Sequence, residues 1–338
     1  MRALAAATFV VAAIACNADD TNGPVTDATT PAAAPVGPTA PAPEMAVTSI
    51  TAPGVPFGDF HLPTSLFSSS LYTGSLQALS ASSAISLLNS AKGYGDRVVI
   101  SMAGNRSNYT NSNGTFNMTL WKNRINAFKS LNFSQFVTSG TVIGHYLVDE
   151  PLCSQCWGGT AISYAQIEEM SKYSKSIWPT LPTGVRAAPS KLGNTAYASL
   201  DFGWAQWEGP LHGASFGLTP QQFRDAQTAV AQKLRLGLVF GLNYLDGGNG
   251  SSHINGTYAK DPNLSDNVYC KSGSGCYRYA MSASEVKTDG AVLAAASYGC
   301  GLISWQYNTT FIGRSGVKDA LTYVSNVSKN RARSGCVK

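Results

Sequence analysis

The chain has 338 residues, 44% of them hydrophobic and 13% charged, with a formal net charge of +5. That is apolar material for one large core or two small ones, and it excludes a wholly disordered chain. The positive charge forms no stripe, and only residues 329–338 are locally basic, which argues against nucleic-acid binding.

Met1 and Arg2 open a short positive region, and residues 3–15 are an apolar run too short to span a bilayer. Ala13-Ile14-Ala15 is a small-x-small cleavage pattern, and Cys16 follows it. Residues 1–15 therefore read as a signal peptide. The arrangement resembles a bacterial lipobox, which implies lipidation at Cys16 and a cell-surface lipoprotein. Ordinary cleavage at the same bond implies a secreted protein. Residues 16–46 are rich in Pro, Ala and Thr and read as a disordered linker that cannot bury a core. Membrane contact is expected only through this anchor, and the folded part is expected to be a monomer.

Residues 47–338 read as one domain. Apolar, β-branched and aromatic runs predict strands at 55–62, 97–103, 142–148, 183–188, 200–207, 236–245 and 301–307. An eighth strand comes from 71–79 or from 47–50. Helical periodicity predicts helices at 82–92 and 120–136, and near 163–177, 219–234, 282–297 and 315–328. Three helix starts carry capping boxes: Ser163 with Gln166, Thr219 with Gln222, and Ser282 with Glu285. The long polar segment 249–281 is expected to be a functional loop. The strand-loop-helix beat recurs about every 40 residues, the pattern of a parallel α/β fold. A (β/α)8 TIM-like barrel fits best. No Gly-rich phosphate turn follows any strand, so no nucleotide or other cofactor is expected.

Besides Cys16, six cysteines remain, an even number that suggests disulfides in an exported protein. Sequence proximity favours Cys153–Cys156, Cys270–Cys276 and Cys300–Cys336. A zinc site from the first two pairs is the rival reading. It is disfavoured because the Cys270/Cys276 spacing is too wide for a ribbon knuckle, so no metal is expected.

The most informative stretch is Val142-Ile143-Gly144-His145-Tyr146-Leu147-Val148, a buried strand stopped by Asp149, Glu150 and Pro151. Two adjacent acids at the end of a buried strand are expensive unless used or paired. In a barrel that end faces the active site. The same face would carry Asp59, His61, Arg186, Glu208 and Asp246, with Trp157, Trp204, Trp207, Tyr244 and Trp305 beside them. Acids among aromatic rings suit a carbohydrate site, since sugar C–H faces stack on rings and glycosidic cleavage uses two carboxyl groups.

Tyr146-Leu147-Val148-Asp149-Glu150-Pro151 resembles the acid-bearing strand end of TIM-barrel glycoside hydrolases. In clan A that strand closes with Asn-Glu-Pro, and the resemblance implies that Glu150 is the general acid/base. Asp149 stands where that group has Asn. The strand at 236–245 offers Asp246 where that group places a nucleophilic Glu. The hexosaminidase-like enzymes use an adjacent Asp-Glu pair, which implies that Glu150 protonates the leaving oxygen while Asp149 orients a substrate acetamido group. The expected function is an exported glycoside hydrolase cleaving O-glycosidic bonds of a polysaccharide or glycan. Its catalytic set is Glu150 and Asp149, with Glu208 or Asp246 as partner. The apolar strand before Glu150 and the charge of Asp149 are expected to favour its protonated form. The alternative is a non-catalytic barrel that binds glycan or a cell-surface partner.

Overall fold

The computed structural model describes residues 54–210, 213–249, 280–332 and 335–336. The signal peptide, Cys16, the linker, the candidate strand 47–50, most of the loop 249–281 and the Cys270/Cys276 pair lie outside the described residues. No helix among the described residues is long and apolar enough to cross a membrane.

Eight parallel strands close into a barrel in sequence order. They are β1 (Phe57–Phe60), β2 (Gly74–Ala78), β3 (Arg97–Ser101), β4 (Val142–Asp149), β5 (Thr183–Arg186), β6 (Phe202–Trp207), β7 (Gly237–Leu242) and β8 (Gly299–Ser304). Around them lie α1 (Ala84–Tyr94), α2 (Met118–Asn126), α3 (Ser134–Thr138), α4 (Tyr164–Ile177), α5 (Pro220–Leu234), α6 (Ala283–Ala294), α7 (Thr309–Ile312) and α8 (Val317–Lys329). The eighth strand comes from the 71–79 candidate. The predicted helix 120–136 is divided into α2 and α3, because Asn132 accepts the backbone N–H of Ser134 at 2.9 Å and starts a second turn. All three capping boxes form, at Ser163, Thr219 and Ser282.

Strand alternation makes two apolar layers. Inside the barrel lie Phe60, Leu76, Val99, Tyr146, Phe202, Trp204, Val239 and Ile303. The larger outer layer fills the space between strands and helices. Phe202 crosses the barrel interior to Gly144 and Gly184. A Cβ at either glycine would sit 2.4 Å or 2.1 Å from its ring. At the bottom, Cys300 of β8 is bonded to Cys336, which closes against the start of β7 at Gly237. The Cys153–Cys156 bond forms at the opposite, carboxyl end. Both expected pairings within the described residues are therefore present.

Candidate active site

Pairing of β4 with β5 shifts register between Tyr146 and Asp149. Such irregularities re-aim side chains beside active sites. The chain then turns sharply, with Glu150 at φ 41° and Pro151 next. This left-handed turn is held through the Glu150 carbonyl. It accepts the backbone N–H of Cys153 at 3.1 Å and the indole Nε1–H of Trp157 at 2.9 Å. Arg106 lies over the Trp157 ring at 4.7 Å and donates to the Cys156 carbonyl at 3.2 Å. Its guanidinium is 4.0 Å from the Glu150 carboxylate.

Arg186, at the end of β5, is the hub. Its Nε and one terminal nitrogen grip Asp149 at 2.5 and 3.1 Å. The latter nitrogen is also 3.1 Å from Glu150 Oε1, and the other terminal nitrogen donates to Gln206 Oε1 at 2.8 Å. The guanidinium stacks on Trp305 at 5.0 Å. The Tyr146 hydroxyl donates to Asp149 Oδ1 at 2.5 Å. Burial alone would raise the Asp149 pKa, but the Arg186 charge and the bonds from Arg186 and Tyr146 outweigh it and hold it below the usual carboxylate range. Tyr146 is pushed well up by burial and by the adjacent Asp149 charge. Glu150 therefore sits against two guanidinium groups, not in the apolar surroundings expected from its strand.

A cleft of about 920 Å³ opens at the carboxyl ends of β4, β5 and β6. Glu150, Arg186, Trp204, Gln206, Glu208 and Tyr164 are among the residues that line it. Glu208 follows β6, where its backbone N–H donates to Ser215 Oγ at 3.2 Å. Its carboxylate packs on Gly213 so closely that a Cβ there would fall 1.6 Å from Oε2. Glu150, Cys153 and Cys156 also cluster, but the two sulfurs are bonded to each other and present no thiolate.

The same architecture is found in solved structures. A protein from Parabacteroides distasonis ATCC 8503, provisionally classed as a glycoside hydrolase, superposes with a TM-score of 0.53 at 10% identity, over 84% of this chain and 96% of that one. The endo-β-1,4-mannanase from Thermotoga petrophila gives 0.48 at 10% identity, over 83% and 78%. An endocellulase from Pyrococcus horikoshii gives 0.48 at 14% identity, over 83% and 93%. No family model matches the chain, and no curated protein matches its sequence. At these identities the first likeness shows the barrel fold.

Of the residues singled out in the sequence, the barrel brings Glu150, Asp149, Arg186 and Trp305 together, with Trp204 and Glu208 in the same cleft. Trp204 lies at the floor, its Nε1–H donating to the Ile303 carbonyl at 3.1 Å. Asp246 is buried in the turn after β7, its backbone N–H bonded to Asn243 Oδ1 at 3.2 Å, away from the cleft lining. The expected stacking role does not suit Trp157, Trp204, Trp207 or Tyr244, which are all fully buried and have no open ring face. Trp157 is buried under Arg106. Trp207 falls on the outward side of β6, donating to Asp289 Oδ2 at 3.0 Å. Tyr244 stacks on Phe311 at 5.3 Å.

Two more of the expected ligand-facing residues stand apart from the cleft. Asp59 is fully buried, and His61 is exposed with φ 55° outside the cleft lining. Burial raises Asp59 to about 7. The Tyr244 and Tyr72 hydroxyls beside it pull the other way, but neither reaches its oxygens in good hydrogen-bond geometry. Sequence reasoning missed Tyr146, Arg106, Gln206 and Tyr164. Gln206 lies two residues before Glu208, on the side of β6 that faces inward with Trp204, a facing that the sequence alone does not give.

Proposed function

We propose that this chain hydrolyses glycosidic bonds of a glycan, with Glu150 as proton donor and Glu208 as the second carboxylate. The observation that carries the reading is that two glutamates from different strand ends, β4 and β6, line one cleft at the carboxyl face of the barrel. Glu150 is the more accessible of the two acids ending β4, its side chain 36% exposed against 22% for Asp149. With its oxygens bound by Arg186 and Tyr146, Asp149 serves as a positioning residue that holds Arg186 and, through it, Glu150. This departs from an acetamido-orienting role. Export through a signal peptide at residues 1–15 belongs to the same reading.

A panel of neutral and acidic polysaccharides, screened for released reducing ends, tests it. Wild-type protein is expected to cleave at least one. Glu150→Gln is expected to lose about 10²–10⁴ in rate while still binding, and Glu208→Gln to lose activity comparably. Added azide should restore turnover to the alanine variant of whichever glutamate attacks or activates water. Full activity in Glu150→Gln would overturn the assignment. The ion pairs that occupy Asp149, Glu150 and Arg186 favour a second reading, a barrel that binds glycan without cleaving it. That reading is met if polymers bind and none is cut.

A further inference from the structure

Five large apolar or aromatic side chains among the described residues are more than a third exposed: Tyr94, Leu120, Tyr164, Phe216 and Tyr323. Only Tyr164 of these lines the cleft. It is the first residue of α4, directly after the cap Ser163. The helix buries Ile167, Met170, Ser171 and Ser174 on its inner face, so Tyr164 is not needed for the core.

Its ring is nevertheless held. The hydroxyl donates to the Lys191 carbonyl at 3.1 Å, across from the start of α4 to the β5–β6 connection. One side of the ring lies on Gly193, where φ is +82° and a Cβ would stand 3.1 Å from Cε2. The chain thus keeps a left-handed glycine under the ring. Tyr has few rotatable bonds, so a ring pinned at its tip loses little entropy on binding. A fixed aromatic surface that is 48% exposed in a cleft has the form of a binding platform. Lys191 lines the same wall, and no ion pair to it exists among the described residues.

The geometry points to Tyr164 as the stacking platform of a subsite that takes one pyranose ring of a polysaccharide chain, with Lys191 at its edge as a hydrogen-bond donor to ring hydroxyls. The C–H face of the sugar lies on the exposed ring face, and the chain runs from there along the cleft toward Glu150. This rests on the proposal that the cleft receives a glycan, not on the hydrolysis step.

Binding is therefore the readout. Affinity for soluble polysaccharides is measured in the full chain carrying Glu150→Gln, alone and combined with Tyr164→Ala, Tyr164→Phe or Tyr164→Trp. Tyr164→Ala is expected to weaken binding about tenfold, while Phe and Trp, which keep a ring, stay within about threefold. Thermal melting checks that each variant is folded. Equal affinity in Tyr164→Ala would overturn the platform, as would loss of binding in all three variants alike or no binding to any polymer before the second substitution. A wild-type chain that binds through Tyr164 but cuts nothing would leave the platform standing and remove only the hydrolysis reading.

Discussion

Two acids shift in opposite directions in one molecule: burial raises both, and only Asp149 has a guanidinium that outweighs it. Asp149 is held below its usual range by Arg186, so its network contributes stability that is present above about pH 4 and lost as pH falls further. Removing the guanidinium leaves Asp149 without its bonded cation and Glu150 with only the more distant Arg106. Arg186→Ala is expected to destabilise by about 3 kcal/mol, the usual scale for breaking a buried pair, read as a lower midpoint in urea unfolding. An unchanged midpoint would show that the pair contributes nothing net. Asp59 works the other way. Burial raises it to about 7, so the native state binds its proton between about pH 4 and 7 and stability falls as pH rises through that window. Asp96, also raised to about 7 by burial, acts in the same sense. His145 opposes them below about pH 6.5, since burial pushes it down to about 3 and the unfolded chain takes the proton first. The test is therefore a difference between variants. Asp59→Asn is expected to be more stable than wild type at pH 8 by on the order of 3 kcal/mol, with the gain shrinking toward pH 5. A gain independent of pH would refute the buried-acid account.

At the scale of elements, the β4–α4 connection bears most on the site. The Cys153–Cys156 bond spans only three positions, so the chain entropy it removes is small, about 2 kcal/mol at most. Its neighbours matter more. The loop it closes supplies the Cys153 N–H to the Glu150 carbonyl and the Cys156 carbonyl to Arg106. Cys153→Ala/Cys156→Ala is expected to lower melting by only a few degrees but to reduce kcat/KM about tenfold, since small displacements of positioned groups are felt strongly in rate. Melting and kinetics on whichever polysaccharide the wild type cleaves check both halves, and unchanged kinetics would place the disulfide outside the site's support. Much of this element was legible beforehand. A β-branched apolar run stopped by Pro151 marks β4, and the Ser163/Gln166 box marks α4, because both signals are local. The facing of each strand was not legible. Trp204 and Trp207 sit on one strand, and nothing within residues 200–207 says which alternate set points inward. That is decided by Phe202, which occupies the space left by Gly144 and Gly184 on two other strands. The grip of Arg186 on Asp149 spans 37 residues and depends on β4–β5 pairing, so it too was beyond local reading.

The whole barrel is a closed ring, and closure makes both of its ends matter. β1 pairs with β8, and the chain just before β1 is tied to the end of α8. Gly54 N–H donates to the Arg331 carbonyl at 2.6 Å and Val55 N–H to the Ser328 carbonyl at 3.0 Å. Beyond α8, Cys336 reaches back under the barrel to Cys300 and lies buried with the inner cluster. The two termini should therefore respond differently to truncation. Deleting residues 1–46 removes none of these contacts and is expected to leave the melting temperature unchanged. Ending the chain after residue 332 removes the bond that closes a loop of sequence separation 36. In the chain-entropy model that bond stabilises by about 4 kcal/mol. For a domain of this size the loss corresponds to a fall of on the order of 10 °C. It also uncovers the apolar bottom of the barrel at Gly237 and Cys300. Cys300→Ser/Cys336→Ser keeps the covering segment and removes only the covalent closure, so it should recover the part of the fall that comes from lost packing. Calorimetry of the three proteins separates the terms. If the 332 truncation melts with the full chain, the tail adds nothing to the closed barrel, and β1–β8 pairing with the α8 contacts suffices.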